Sequence, residues 1–166
     1  LYHTERKETG RIYKMNVDHC NTHGSFIESI APVRMSNLCL EITLPTKPLR
    51  YENDPEGEIA LCTLSAINMG KIKTMEVLEK ACDLITRALN ELLDYQDYPL
   101  QAAKKATLDR RPLGVGLINV AYWLAKNGYK YSDNSGLEEW GRMMEAFQFY
   151  LMKASMNVAK ERGAPC

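Results

Sequence analysis

The sequence predicts a mixed α/β fold, on three observations. Extended, β-prone segments fill its first half, helical stripes fill its second, and no internal repeat or low-complexity stretch interrupts that order. Its 166 residues suffice for one domain with a real core, and 45% hydrophobic with 25% charged residues is ordinary globular composition.

Along the chain, Gly10 to Cys20 holds a β-prone run, Ile12 to Val17, predicted as a short strand leading into a polar loop. Residues 21–35 read as irregular, punctuated by Gly24 and Pro32. Met35 to Leu44 is predicted as an extended segment ended by Pro45 and Pro48. Arg50 to Glu58 is a polar turn, and Ile59 to Ile67 is predicted as a second buried strand carrying Cys62. Thr74 is the predicted N-cap of a helix whose stripe runs through Leu78, Ala81, Cys82, Ile85, Ala88, Leu89 and Leu92. Pro99 to Arg111 is a basic connector, helical or irregular. Leu113 to Ala125 is apolar and runs to a helix end at Asn127-Gly128. The last helix starts at a capping box, Ser135 with Glu138. It buries Trp140, Met144, Phe147, Leu151, Ala154 and Val158, and closes at Arg162-Gly163 and Pro165.

The bulk numbers argue against several classes. Lys+Arg and Asp+Glu both number 21, so the basic excess of a nucleic-acid clamp is missing. The longest apolar run, Leu113 to Ala125, is short of the roughly 20 residues a bilayer needs. No basic-then-apolar leader opens the chain, and five scattered cysteines fit a reducing cytoplasm better than a disulfide scaffold. A start at Leu1 and a stop at Pro165-Cys166, just after a helical segment, have the look of a piece of something longer.

The chemistry concentrates in Ser36-Asn37-Leu38-Cys39-Leu40-Glu41. In an extended strand or loop, Asn37, Cys39 and Glu41 would share one face, opposite Leu38, Leu40 and Ile42. That face would carry an amide, a sulfur and a proton acceptor. Two readings compete at Cys39: a reactive sulfur beside a base, or a buried core cysteine. The same pair of readings applies to Cys62. Asp18, His19, Cys20 and His23 lack the second ligand pair of a structural zinc site, so a polar loop is the better reading. Cys82 falls on a helical core stripe. Gly114 and Gly116 lack the third glycine of a dinucleotide fingerprint, and Lys104-Lys105 with Arg110-Arg111 read as a solvated face.

Five blocks carry a resemblance: NVDHCNTH (16–23), APVRMSNLCLEITLPTKPL (31–49), GEIALCTLSAIN (57–68), LLDYQDYP (92–99) and RRPLGVGLINVAYWLAK (110–126). Together they resemble the large, catalytic subunit of class I ribonucleotide reductase, most loosely around 50–56 and 133–142. The resemblance implies part of a ten-stranded α/β barrel whose finger loop is 36–41, whose redox-cysteine strand is 59–67 and whose helical part is 74–163. It implies that Cys39 becomes a thiyl radical, that Glu41 takes the 3′-hydroxyl proton and that Asn37 hydrogen-bonds the ribose. Ser36 and Leu38 complete the substrate-binding run. Cys62 would be one half of the reducing cysteine pair; its partner matches none of Cys20, Cys82 and Cys166.

The same resemblance implies a ribonucleoside diphosphate substrate, no metal in this segment and a radical supplied by a metal centre in a partner small subunit. Thioredoxin or glutaredoxin would re-reduce the cysteines, and ATP and deoxynucleotide effectors would bind regions outside this chain. On this reading the segment needs the remaining parts of the large subunit and has no turnover alone. Two other readings compete: a non-catalytic remnant or split-subunit piece that assembles with other reductase chains, and a small zinc or redox module on Asp18, His19, Cys20 and His23.

Overall fold

The computed structural model describes residues 1–132 and 134–165. They fall into two compact units: Leu1–Leu61 with Tyr98–Thr107, and Cys62–Asp97 with Leu108 onward. The candidate residues Ser36 to Glu41 belong to the first, and Cys62 to the second.

In the first unit, α1 (Tyr2–Thr9) ends at Gly10, whose φ of 65° is the left-handed C-cap geometry that glycine adopts without strain. The strand expected at Ile12–Val17 is absent. A β-prone run makes a strand only where a neighbour takes up its backbone groups, and none does here. The chain instead enters α2 (Val17–Thr22) at Asn16, whose backbone carbonyl accepts from Cys20 N at 3.1 Å. Residues 23–61 then run without regular elements, apart from one antiparallel bridge, Lys47 with Glu58. The expected polar turn at Arg50–Glu58 is present: Asp54, buried, accepts from Arg50 N, Nε and Nη2 and from Glu56 N. The unit is completed by residues 101–107 of the helix Gln101–Arg110, whose Ala102, Ala103 and Ala106 are buried. Ala102 O accepts from Ile59 N at 3.2 Å.

The second unit is built on β1 (Thr63–Asn68) and β2 (Leu113–Ile118), paired in parallel with Thr63 opposite Leu113 and Asn68 opposite Ile118. β1 begins later than the expected Ile59, so Cys62 stands just in front of it. Between them α3 (Met75–Tyr95) is capped as expected by Thr74, whose hydroxyl accepts from Val77 N at 3.4 Å. Its buried line is Leu78, Cys82, Thr86, Leu89, Asn90 and Leu93. Leu93 replaces the expected Leu92, which is exposed. Polar Thr86 and Asn90 enter that line because each is satisfied. Thr86 Oγ1 donates to Cys82 O at 2.8 Å, and Asn90 Oδ1 accepts from Arg111 Nε at 2.7 Å.

Leu113–Ala125, expected as one helical stretch, divides into β2 and a short α4 (Val120–Lys126). A short apolar run has the same look in a buried strand and a helix. Gly114 and Gly116 lower its helix propensity, and pairing with β1 decides the matter. The last helix, α5 (Asn134–Arg162), already includes Ser135, so the expected N-cap is a helical residue. It buries Met143 rather than Met144. The core joins Ile67, Leu78, Cys82, Trp123, Leu124, Met143 and Phe147. This face of the sheet is covered by helices. The opposite face, with Leu64 63% exposed and Ile118 51% exposed, is not covered within the unit.

Candidate active site

Asn37 to Glu41 forms a turn, not the extended strand the alternation suggested. Leu40 N donates to Asn37 O at 3.1 Å, and Leu40 itself sits at φ 60°, a left-handed conformation that costs a non-glycine residue energy. Side chains take up the backbone groups that a ladder would otherwise pair. Asn37 Oδ1 accepts from Ile42 N at 3.2 Å, and Ser36 Oγ donates to Ile42 O at 2.5 Å. Because Ile42 N can only donate, Oδ1 must face it, and the amide nitrogen is thereby directed at Glu41. Asn37 Nδ2 donates to Glu41 Oε1 at 2.6 Å.

The amide and the carboxylate therefore meet by reversal of the chain, whereas alternation along a strand would only have put them on one face. Cys39 occupies the turn between them and is exposed, as are Leu38 and Glu41. The buried-core reading of Cys39 does not hold within this unit. An apolar cleft of about 610 Å³ flanks Asn37, lined by Met35, Ile42, Leu44, Leu49 and Ile59.

The turn is held from both ends. Upstream, Asn21 on α2 clamps Val33: its Oδ1 accepts from Val33 N at 2.8 Å, and its Nδ2 donates to Val33 O at 2.9 Å. Val33 is only 1% exposed. Downstream, buried Glu58 receives Lys47 Nζ and Lys105 Nζ, each at 2.9 Å. Two backbone hydrogen bonds join Lys47 and Glu58 as well. Sequence reasoning missed Asn21 and Glu58, since one asparagine in a polar run and one glutamate in a turn have no distinguishing spacing.

Cys62 is half-buried at the head of β1, beside Gly114 of β2. Cys82, as expected, is a core residue: fully buried, its thiol is pushed up to about 11 by that burial and by the charge of Glu79. At pH 7 it stays a protonated, unreactive thiol. His19 on α2 and His23 just after it pack edge to face with ring centroids 5.5 Å apart, and His23 Nδ1 lies 2.8 Å from Thr22 Oγ1. Among the described residues no group of three or more His, Cys, Asp and Glu side chains converges as a metal site, and no helix is long and apolar enough to cross a membrane.

A family profile described as "Ribonucleotide reductase, barrel domain" matches residues 3–166. The chain belongs to this family. It is 63% identical over 160 residues to "Ribonucleoside-diphosphate reductase subunit alpha" of Haemophilus influenzae, covering 96% of this chain and 21% of that relative. It is 60% identical, with the same coverage, to "Ribonucleoside-diphosphate reductase 1 subunit alpha" of Escherichia coli. The alpha subunit of Enterobacteria phage T4 is 43% identical over 165 residues, 98% of this chain and 21% of the relative. The chain thus spans about a fifth of the curated reductase subunits it matches.

Proposed function

We propose that this chain is a catalytic-core segment of a ribonucleoside-diphosphate reductase, active only within the whole large subunit. The observation that carries the reading is the Asn37–Glu41 hydrogen bond across a turn that presents Cys39. The family membership of nearly the whole chain gives that geometry its chemistry. β1 and β2 are two parallel strands of the ten-stranded barrel, and 36–41 is its finger loop.

Each side chain suits its role. The S–H bond of Cys39 is weak enough for hydrogen transfer to run both ways, so its thiyl takes the 3′ hydrogen of the ribose and later returns one. Glu41 accepts the 3′-hydroxyl proton as a general base, its carboxylate oriented by the Asn37 amide. Asn37 also offers the ribose a hydrogen-bonding group, and Ser36 and Leu38 complete the run against the sugar. The 2′-hydroxyl leaves as water. Cys62 and a second cysteine elsewhere in the subunit release two protons and two electrons as they form a disulfide. In sum, nucleoside diphosphate and two thiols give deoxynucleoside diphosphate, a disulfide and water.

The oxidising equivalent that makes the thiyl comes from a metal centre in the partner small subunit. Thioredoxin or glutaredoxin restores the dithiol, and ATP and deoxynucleotide effectors act on other regions of the subunit. The cytoplasm, where thiols stay reduced, is the proposed setting. An exposed Cys39 accords with a sulfur that substrate and the rest of the subunit must cover before the radical forms.

Cys39→Ala in the full-length subunit, assayed with its small subunit, tests the reading. Deoxynucleotide formation is expected to vanish while nucleoside diphosphate binding stays within about twofold, because the sulfur reacts and the flanking polar groups bind. Turnover near the wild-type rate would sink the radical assignment.

A further inference from the structure

Cys62 extends the line of Leu64 and Ala66 on the uncovered face of the sheet, since every second residue of a strand shares a side. The register sets Gly114 opposite Leu64 and Gly116 opposite Ala66 on that same face. The two glycines differ in what surrounds them. A methyl group on Gly114 would meet Leu64 Cδ2 and stand 3.0 Å from Cys62 Sγ, closer than carbon and sulfur ordinarily approach. A methyl on Gly116 would meet only Ser65 O, at 3.7 Å, an ordinary contact.

Gly114 does not have a left-handed φ, so its backbone does not require glycine. Within a strand glycine is the less stable choice compared with alanine. The missing side chain therefore makes space, and the occupants of that space are the Cys62 sulfur and the tip of Leu64. Leu64 is exposed and can turn aside. The sulfur, on a short side chain at the head of the strand, has less freedom.

We propose that Gly114 is a positioning residue for Cys62, leaving the slot in which the sulfur sits to form and release its disulfide. The proposal rests on the redox role given to Cys62 above. A disulfide demands a narrow S–S–Cβ geometry, so moving the sulfur by a few tenths of an ångström slows its formation. Two thiols give up two protons and two electrons to the nucleotide in that step, and Gly114 alters only how readily the first sulfur meets the second.

The test compares variants of the full-length subunit, assayed with its small subunit and a thioredoxin system. Gly114→Ala is expected to lower kcat about tenfold, misplacement of a reacting group being that costly, with KM for nucleoside diphosphate changed less than about twofold. Trapping of Cys62 as a disulfide after one turnover, read by thiol-alkylation mass spectrometry, should slow by the same factor. Gly116→Ala should behave as wild type, and Leu64→Ala combined with Gly114→Ala should keep the defect. Wild-type kcat for Gly114→Ala, an equal loss in Gly116→Ala, or full rescue by Leu64→Ala would each overturn the assignment. If Gly114→Ala does not fold, adding Cys62→Ser should restore folded protein, because the hydroxyl is smaller than the thiol; no restoration overturns the proposal too. Cys62→Ser alone separates the two ideas. Repeated thioredoxin-supported turnover by that variant removes the redox role itself, whereas a defective Cys62→Ser beside a normal Gly114→Ala removes only the role of Gly114.

Discussion

Asn37 does two jobs with one amide. Its oxygen accepts from Ile42 N and so closes the turn, while its nitrogen donates to Glu41. The first bond decides the direction of the second, which makes a short local hydrogen-bond chain rather than two independent contacts. Asn37→Ala removes both, leaving Glu41 unoriented and the turn open. In the full subunit we expect kcat to fall about ten- to a hundredfold, as for a displaced catalytic group, with the substrate KM rising as well. Steady-state kinetics check this, and an unchanged kcat would mean that the Glu41 orientation is irrelevant to the rate. At this scale the residue types in the motif singled out the candidate site. Asn21 and Glu58 did not, because their value comes from which distant backbone or lysine they reach.

Among the elements, the Arg50–Asp54 turn depends on charge. Hydrogen bonds from the Arg50 side chain, then from its backbone, hold the Asp54 carboxyl far below its ordinary value of 3.8, against the opposing effect of burial. A depressed folded value means that this contribution to stability is complete above about pH 4. It is lost as pH falls below 3.8 toward the folded value. Asp54→Asn should therefore lower the melting temperature at pH 7, and the gap to wild type should close as the solution is acidified. Thermal melts across that range test it; a gap independent of pH would contradict the assignment. The helix Met75–Tyr95 was the most legible element. Thr74 caps its helix, and Leu78, Cys82 and Leu89 are buried at the predicted spacing. The misses lie where side-chain pattern is degenerate. Leu92 and Leu93 are adjacent leucines, Met143 and Met144 adjacent methionines, and a drift of one position decides which is covered.

For the whole molecule, the sheet has one covered face and one open one. Ile67, Val115 and Leu117 pack into the helical core, whereas Leu64 and Ile118 are exposed. An open apolar sheet face calls for further protein, in keeping with a chain that spans 21% of its relatives. The 166-residue chain alone is accordingly expected to form no deoxynucleotide, even with small subunit and thioredoxin supplied. Product formation at a rate comparable to an intact subunit would refute the shared-barrel reading.

Local rules were enough to determine most of the helical stripes, the Thr74 cap, the polar turn at 50–58 and the residue types of the candidate site, because each depends on neighbours within a few positions. Tertiary structure alone decided that Ile12–Val17 has no strand partner, that Leu113–Ile118 does, and that Asn37 to Glu41 closes as a turn. A backbone must satisfy its hydrogen bonds wherever partners stand, and those partners lie far along the chain, as where Thr63 pairs with Leu113 and Asn68 with Ile118.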